Sequence, residues 1–253
     1  MRRQKWIIGL LIAGSVVMVS GCAWMFSLFA KAPMDVLHYS ADTDGESQPN
    51  LFIFMRGIGG SNASFEEEGL VDDVRNLDLP FDMAAPNAHL GYYTGRTLIV
   101  RLKEDVIDPA RAAGKDHIWL VGFSMGGLGS LLYELEQPGD IDGICLVAPF
   151  LGDEPIIEEI RAAGGVRSWS PGAYDPDEDY QRMLWHWIKD NVEGDSPVPI
   201  FLGWGRDDEF APANALLAEL LPEGRAVSIP GGHDYPTFKA LWERFLESEI
   251  YLP

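Results

Sequence analysis

Short apolar runs that alternate with segments of helical spacing constrain this chain more than any other feature. The segment 51–55 is an uninterrupted apolar run bounded by turn residues, as expected of a parallel strand buried on both faces. Six further strand candidates lie at 36–39, 82–85, 118–121, 144–147, 200–202 and 226–229. Predicted helices occupy 65–77, 96–113, 124–135, 213–221 and 235–247. This order predicts an α/β fold whose mostly parallel sheet carries helices on both faces.

One long interval, between the predicted strands 144–147 and 200–202, breaks this alternation. It contains about fifty residues without a strand candidate, too many for a simple crossover loop. Five of its apolar residues fall at helical spacing, namely Tyr180, Met183, Leu184, Trp187 and Ile188. This helix either packs on the sheet or belongs to a small cap over a pocket. The density of aromatic residues, and a position on the side where ligand sites form, favour a short helical cap over 152–197.

The first residues are arranged like a secretory signal. Three cations within the first five residues precede an apolar run at 6–19, and small residues then lead to Cys22. The tetrapeptide VSGC resembles the lipobox of bacterial lipoproteins, in which the cysteine is lipidated and the chain is cut before it. The resemblance implies a signal peptide over 1–21, a lipidated tether over 22–34 and attachment to a membrane of the bacterial cell envelope. The alternative is an uncleaved signal anchor in which Cys22 has no special role.

Charge and cysteine content exclude several classes of protein. The chain has 39 Asp+Glu against 19 Lys+Arg, a formal net charge of −20, and so acidic a surface repels the phosphate backbone of a nucleic acid. Its two cysteines, Cys22 and Cys145, exclude a disulfide scaffold and a cysteine-rich metal site. Cys145 lies in a predicted strand and is expected in the core. Neither a metal-binding nor a phosphate-binding motif is present, and we expect neither a metal nor a cofactor.

The pentapeptide GFSMG at 122–126 matches the pattern G-x-S-x-G. It follows the predicted strand 118–121 directly and opens a predicted helix. A sharp turn from strand to helix needs small residues on both sides of the serine, and it aims the helix N-terminus at the reacting atom. This context favours Ser124 as a nucleophile over the alternative, a serine that only caps the helix.

From this motif onward the chain resembles the α/β-hydrolase family over about residues 50–250, in the family's order of nucleophile, acid and histidine. The segment 205–212 looks like the family's acid turn, whose fourth position is Asp208, with Asp207 as the competing candidate. The loop after the last predicted strand resembles the family's histidine loop and supplies His233. The resemblance therefore implies a catalytic triad of Ser124, Asp208 and His233.

An oxyanion hole is the second requirement of this chemistry. The backbone N–H of Met125, directly after the nucleophile, is one expected donor. The glycine-rich turn after 51–55, aligned on the family pattern H-G-x-G-G, makes the N–H of Ile58 the second donor. Arg56 stands where that family usually has histidine.

These features predict a membrane-tethered serine hydrolase, carboxylesterase-like or lipase-like. Its substrate is a small-molecule or lipid-like acyl compound, either a carboxylic ester or a thioester or amide. Two alternatives remain open: an acyltransferase with the same triad, and a lipoprotein that uses the same fold only for binding. The order of Ser124, Asp208 and His233 favours catalysis over the binding protein. The sequence does not specify the substrate.

Overall fold

A computed structural model describes residues 30–41, 47–193 and 198–252 of the chain. The predicted signal peptide, Cys22 and the first part of the predicted tether lie outside these ranges. Within them, every helix is too short or too polar to span a membrane.

The described residues form a seven-stranded sheet whose spatial order is β1-β3-β2-β4-β5-β6-β7. The strands are β1 Val36–Tyr39, β2 Asn50–Met55, β3 Phe81–Pro86, β4 His117–Phe123, β5 Gly143–Val147, β6 Ile200–Gly205 and β7 Ala226–Ile229. The edge strand β1 runs antiparallel to β3, and all other neighbours are parallel. All seven predicted strands and the mostly parallel sheet are confirmed.

Ten α-helices and one π-helical turn accompany the strands in the described ranges. They are α1 Ser64–Glu67, α2 Leu70–Asn76, α3 Leu90–Thr94, α4 Leu98–Leu102, the π-helical turn Lys103–Ile107, α5 Asp108–Ala112, α6 Met125–Glu136, α7 Glu154–Ala162, α8 Tyr180–Asn191, α9 Ala211–Ala218 and α10 Tyr235–Glu247.

Two predicted helices are interrupted. The helix predicted at 65–77 is divided into α1 and α2 because Gly69 takes a left-handed conformation with φ 77°. The helix predicted at 96–113 begins two residues later and contains the π-helical turn, after which Pro109 occupies the first turn of α5. Helices α3 and α7 were not predicted, and both are short.

The two faces of the sheet bury separate apolar clusters. Along β2, where all six residues are buried, Ile53 and Met55 join one cluster, whereas Phe52 and Phe54 join the other. The second cluster is strongly aromatic, and Phe52 contacts the ring of Trp242 from α10 at a centroid distance of 5.5 Å. Helices therefore cover both faces, as expected of this α/β architecture. Cys145 lies fully buried in the second cluster.

The interval after β5 contains α7 and α8. The buried residues of α8 are Leu184, Trp185 and Ile188, whereas Trp187 is only partly buried, so the apolar face differs from the predicted one. Trp185 can be buried completely because its indole N–H donates a 2.7 Å hydrogen bond to the carbonyl oxygen of Leu151. Helix α8 thus packs on the core, while Tyr180 and Met183 line a cavity beside α6.

Candidate active site

The three predicted triad residues follow the carboxyl ends of parallel strands. Ser124 comes directly after β4, Asp208 lies three residues beyond β6, and His233 lies in the loop after β7. Because these strand ends share one edge of the sheet, residues far apart in the sequence meet there.

Ser124 lies on a strained turn between β4 and α6. Its backbone has φ 53° and ψ −118°, a conformation that L-residues other than glycine rarely adopt. A Cβ atom at Gly122 would lie 2.5 Å from the carbonyl oxygen of Gly126, and one at Gly126 would lie 2.0 Å from that of Met55. Both glycines are therefore required for close backbone contact, which explains the small residues on each side of the serine.

A continuous chain of hydrogen bonds joins the three side chains. Ser124 Oγ lies 2.9 Å from His233 Nε2, and His233 Nδ1 lies 2.8 Å from Asp208 Oδ2. The Asp208 carboxylate has no exposed surface, and its Oδ1 accepts a 2.8 Å hydrogen bond from the backbone N–H of Phe210. Asp207 is exposed, so the structure brings Asp208 rather than Asp207 to the histidine.

Aromatic rings surround the imidazole of His233. Phe210 and Phe238 each contact it edge-on, with ring centroids 4.9 Å away. A quarter of the His233 side chain remains exposed. The imidazole is therefore held in one orientation yet still accessible from the site, as proton transfer requires.

The glycine-rich turn after β2 passes close to Ser124. A Cβ atom at Gly57 would lie 3.0 Å from Ser124 Cβ, so only glycine fits there without displacing the serine. The next residue, Ile58, has a side chain that is 68% exposed and lines the same cavity as Ser124. The role of its backbone N–H as an oxyanion donor stays a prediction.

A side-chain hydrogen bond from Arg56 ties the start of this turn to the segment just beyond β3. Nη1 of Arg56 donates a 2.8 Å hydrogen bond to Oδ1 of Asn87, just beyond β3. The backbone N–H of Asn87 in turn donates to the carbonyl oxygen of Asp35 at 2.8 Å. Burial lowers the pKa of the Arg56 guanidinium.

A cavity of about 870 Å³ opens beside Ser124. Its lining includes four residues that the sequence analysis did not identify: Tyr93, Leu128, Phe150 and Phe210. Tyr93 donates a 3.0 Å hydrogen bond to the carbonyl oxygen of Met125, which places it against the first turn of α6. Phe150 follows β5 at the same carboxyl edge as the triad, a placement that could have identified it from the sequence.

In the part of the chain that the structure describes, no group of three or more His, Cys, Asp or Glu side chains is arranged to hold a metal ion.

Comparisons with known proteins show the fold. No family model and no curated protein sequence matches the chain. The structure is similar to Est1E from Butyrivibrio proteoclasticus, with a TM-score of 0.56 and 20% identity over 84% of this chain and 93% of that one. It is also similar to the S-formylglutathione hydrolase FrmB from Staphylococcus aureus, with a TM-score of 0.55 and 15% identity over 82% and 84%. A third similar structure is the α/β-hydrolase enzyme MGS-MChE2, from the metagenome of lagoon sediments in Morocco. Its TM-score is 0.53, and the identity is 16% over 85% of this chain and 94% of that one. The chain therefore has the α/β-hydrolase fold.

Proposed function

We propose that this protein hydrolyses carboxylic esters through an acyl-enzyme formed on Ser124. The observation that carries the proposal is the hydrogen-bonded chain from Ser124 Oγ through His233 to the buried Asp208 carboxylate, with distances of 2.9 and 2.8 Å. A serine hydroxyl is a weak nucleophile, and it becomes effective when a neighbouring imidazole accepts its proton. This arrangement has the nucleophile, the base and the group that orients the base within hydrogen-bond distance of one another.

The first half-reaction follows from these contacts. Nε2 of His233 takes the hydroxyl proton as Ser124 Oγ attacks the carbonyl carbon of the ester. The Asp208 carboxylate holds the proton on Nδ1 and stabilises the imidazolium that forms. Collapse of the tetrahedral intermediate breaks the bond to the leaving alkoxide, which receives the proton from Nε2. The acyl group stays on Ser124 until water, activated by the same imidazole, releases the acid.

The negative charge of the tetrahedral intermediate needs hydrogen-bond donors. The backbone N–H of Met125 opens α6, where the helix dipole is positive, and the N–H of Ile58 comes from the facing turn. The close approach of Gly57 to Ser124 supports this pairing. Two of the similar solved structures, FrmB and MGS-MChE2, are named as hydrolases, which agrees with the proposal.

Replacing Ser124 tests the proposal. With p-nitrophenyl butyrate, Ser124→Ala is expected to lower kcat on the order of 10⁶-fold, the scale measured for comparable triads. Ser130→Ala is the matched control, because this serine lies on the same helix and donates only to the carbonyl oxygen of Gly126. Near-native turnover by Ser124→Ala would refute the proposal. The same assay with an added alcohol distinguishes hydrolysis from acyl transfer, since transfer yields a new ester in place of the acid.

We also propose that lipidation at Cys22 holds the domain on a membrane of the cell envelope. The support comes from the lipobox-like tetrapeptide and from the contacts that Lys31, a few residues later, makes with the domain. The backbone N–H of Lys31 donates to the hydroxyl of Tyr92, which lines the cavity and donates back to the Lys31 carbonyl oxygen. Lys31 lies nine positions after Cys22. A segment of nine residues reaches at most about 30 Å when extended, so the anchor would keep the cavity near the lipid surface.

Cell fractionation with Cys22→Ser tests the anchor. The expected result is an unlipidated protein that leaves the membrane fraction, because stable anchoring depends on the acyl chains and the acidic domain is repelled by anionic lipid. If the variant remains fully membrane-bound, with residues 1–21 attached in both variant and wild type, the chain has an uncleaved signal anchor instead. That outcome would leave the hydrolase proposal intact.

A further inference from the structure

The cavity beside Ser124 extends along one side of α6. Its lining includes Ser124, Leu128, Leu132 and Glu136, which follow one another at intervals of four residues. Residues four apart lie one above the other on the same face of a helix. Leu98 and Ile99 line the same cavity from α4. The cavity is therefore elongated, with the nucleophile at one end and Glu136 at the other.

The length of α6 sets the length of the cavity. At about 1.5 Å per residue, the twelve residues of α6 that lead from Ser124 to Glu136 advance about 18 Å. An extended chain advances about 3.5 Å over three backbone bonds, or about 1.2 Å per bond. At about 1.2 Å per bond, a straight alkyl chain that starts at the serine therefore passes Leu132 near roughly its tenth carbon and reaches Glu136 near roughly its fifteenth.

Apolar side chains form much of the wall of this cavity, and some of them reach the surface. Six large apolar side chains are exposed in the described ranges, and three of them, Ile58, Val100 and Tyr180, line this cavity. Exposed apolar side chains that cluster around one concave site mark a place where apolar ligand surface is buried.

The charges on the cavity are predominantly negative. Glu136, Asp153 and Asp177 line it, and the only cation on its described lining is Arg96. Arg96 Nη1 is paired with Asp177 Oδ1 at 2.9 Å, an ion pair that joins the segment before α4 to the inserted segment before α8. The lining therefore offers an anionic ligand no unpaired cation, and like charges repel it.

The position of His233 indicates which part of an ester enters this cavity. Nε2 of His233 must give its proton to the leaving oxygen, so the leaving group lies on the side of the imidazole. Phe210 lies on that side of the site, because its ring contacts the imidazole of His233. The same ring also contacts Phe150. Leu128 and Leu132 line the cavity along α6, whereas His233 is not among the residues that line it, so we assign the acyl group to the cavity.

We infer that the preferred substrate is an ester of a straight, uncharged acyl chain of roughly eight to fourteen carbons, held along α6 between Leu128 and Glu136. The inference rests on the proposed hydrolase function and specifies its substrate class. Each methylene that enters the apolar cavity raises kcat/KM by up to about fourfold. The gain ends when the chain reaches the acidic end of the cavity.

A chain-length series on p-nitrophenyl esters tests the inference. Wild-type kcat/KM is expected to rise from the butyrate through the decanoate and to level off near the tetradecanoate. Leu132→Trp fills the middle of the cavity, and it is expected to lower the decanoate-to-butyrate ratio by about tenfold or more. Leu135→Trp is the matched control, because it makes the same change on α6 at a residue that does not line the cavity. Leu132→Phe repeats the test with a smaller ring if the tryptophan variant does not fold.

A second comparison tests the charge of the cavity. The two substrates are p-nitrophenyl esters of a ten-carbon acyl chain whose far end carries either a carboxylate or an ammonium group. The ester with the carboxylate is expected to react about tenfold more slowly than the one with the ammonium group. Glu136→Lys should lower or invert this preference. Glu243→Lys changes the net charge equally at an exposed residue of α10 outside the cavity, and it should leave the preference as it is.

The outcomes separate the two proposals. A flat chain-length profile with Ser124-dependent hydrolysis would overturn the acyl-chain inference and leave the hydrolase standing. If hydrolysis does not depend on Ser124, calorimetry of methyl decanoate and methyl butyrate with the Ser124→Ala variant decides the inference. The inference is supported if the decanoate binds about tenfold more tightly than the butyrate and if adding Leu132→Trp abolishes this difference. Equal binding of the two esters overturns it.

Discussion

Two adjacent aspartates provide an internally controlled test of the hydrogen-bonded chain. Asp208→Asn replaces a carboxylate that has no exposed surface and lies 2.8 Å from Nδ1 of His233. The asparagine amide would donate a hydrogen bond to Nδ1, so the ring proton would move to Nε2. A protonated Nε2 can no longer accept the proton of Ser124. The buried countercharge of the imidazolium is lost as well.

The expected cost is large. Loss of the correct tautomer and of the countercharge lowers kcat by about 10⁴-fold, which corresponds to about 5 kcal/mol of transition-state stabilisation. The assay is the initial rate on p-nitrophenyl butyrate, with thermal unfolding to verify that both variants fold. Asp207→Asn removes the same charge one residue away at an exposed position, and it should change kcat less than about twofold. A severe Asp207→Asn and a mild Asp208→Asn would refute the assignment of the acid.

Two further predictions concern stability. Gly126→Ala places a Cβ atom 2.0 Å from the carbonyl oxygen of Met55. It should lower the free energy of unfolding by about 3 kcal/mol and the Tm by about 6–12 °C. Gly232→Ala is the control, because its Cβ would lie 3.8 Å from the nearest atom, and it should have little effect on the Tm. Burial raises the pKa of Glu134 to about 7, above the 4.5 of an unperturbed glutamate, so the unfolded chain releases this proton first as the pH rises. The free energy of unfolding should therefore fall by about 2 kcal/mol between pH 4.5 and 7 on account of this residue, and chemical denaturation of Glu134→Gln should lack that part of the decrease. An unchanged Tm for Gly126→Ala, or identical pH profiles for wild type and Glu134→Gln, would contradict these predictions.

The strands were predictable because each is a short apolar run in a sheet buried on both faces. For β2 the pattern is unambiguous, since all six residues are buried. The helices were less predictable where backbone conformation matters more than the apolar pattern. Gly69 interrupts one helix through a left-handed φ, and nothing in the spacing of its apolar neighbours indicates that break. Helix α7 could have been identified from Pro155 in its first turn and from buried isoleucines at helical spacing.

The triad was predictable because each member follows a strand and the motif order limits the choices. The decision between Asp207 and Asp208 depended on the resemblance, and the structure adds the reason, which is that only the latter is buried beside His233. The contact of Arg56 with Asn87 was not predictable, because the two residues lie 31 positions apart and meet only through the pairing of β2 with β3. The shape of the cavity likewise depends on how α4 and the inserted segment pack beside α6.

The most direct test of the central claim is to trap the acyl group on Ser124. The protein is mixed with p-nitrophenyl decanoate, quenched in acid within one turnover, digested and analysed by mass spectrometry. The account predicts the mass of one decanoyl group on the peptide that contains Ser124, and no such increment in the Ser124→Ala variant. Decanoyl mass on any other residue, or continued hydrolysis with no labelled intermediate at Ser124 under single-turnover conditions, would contradict it.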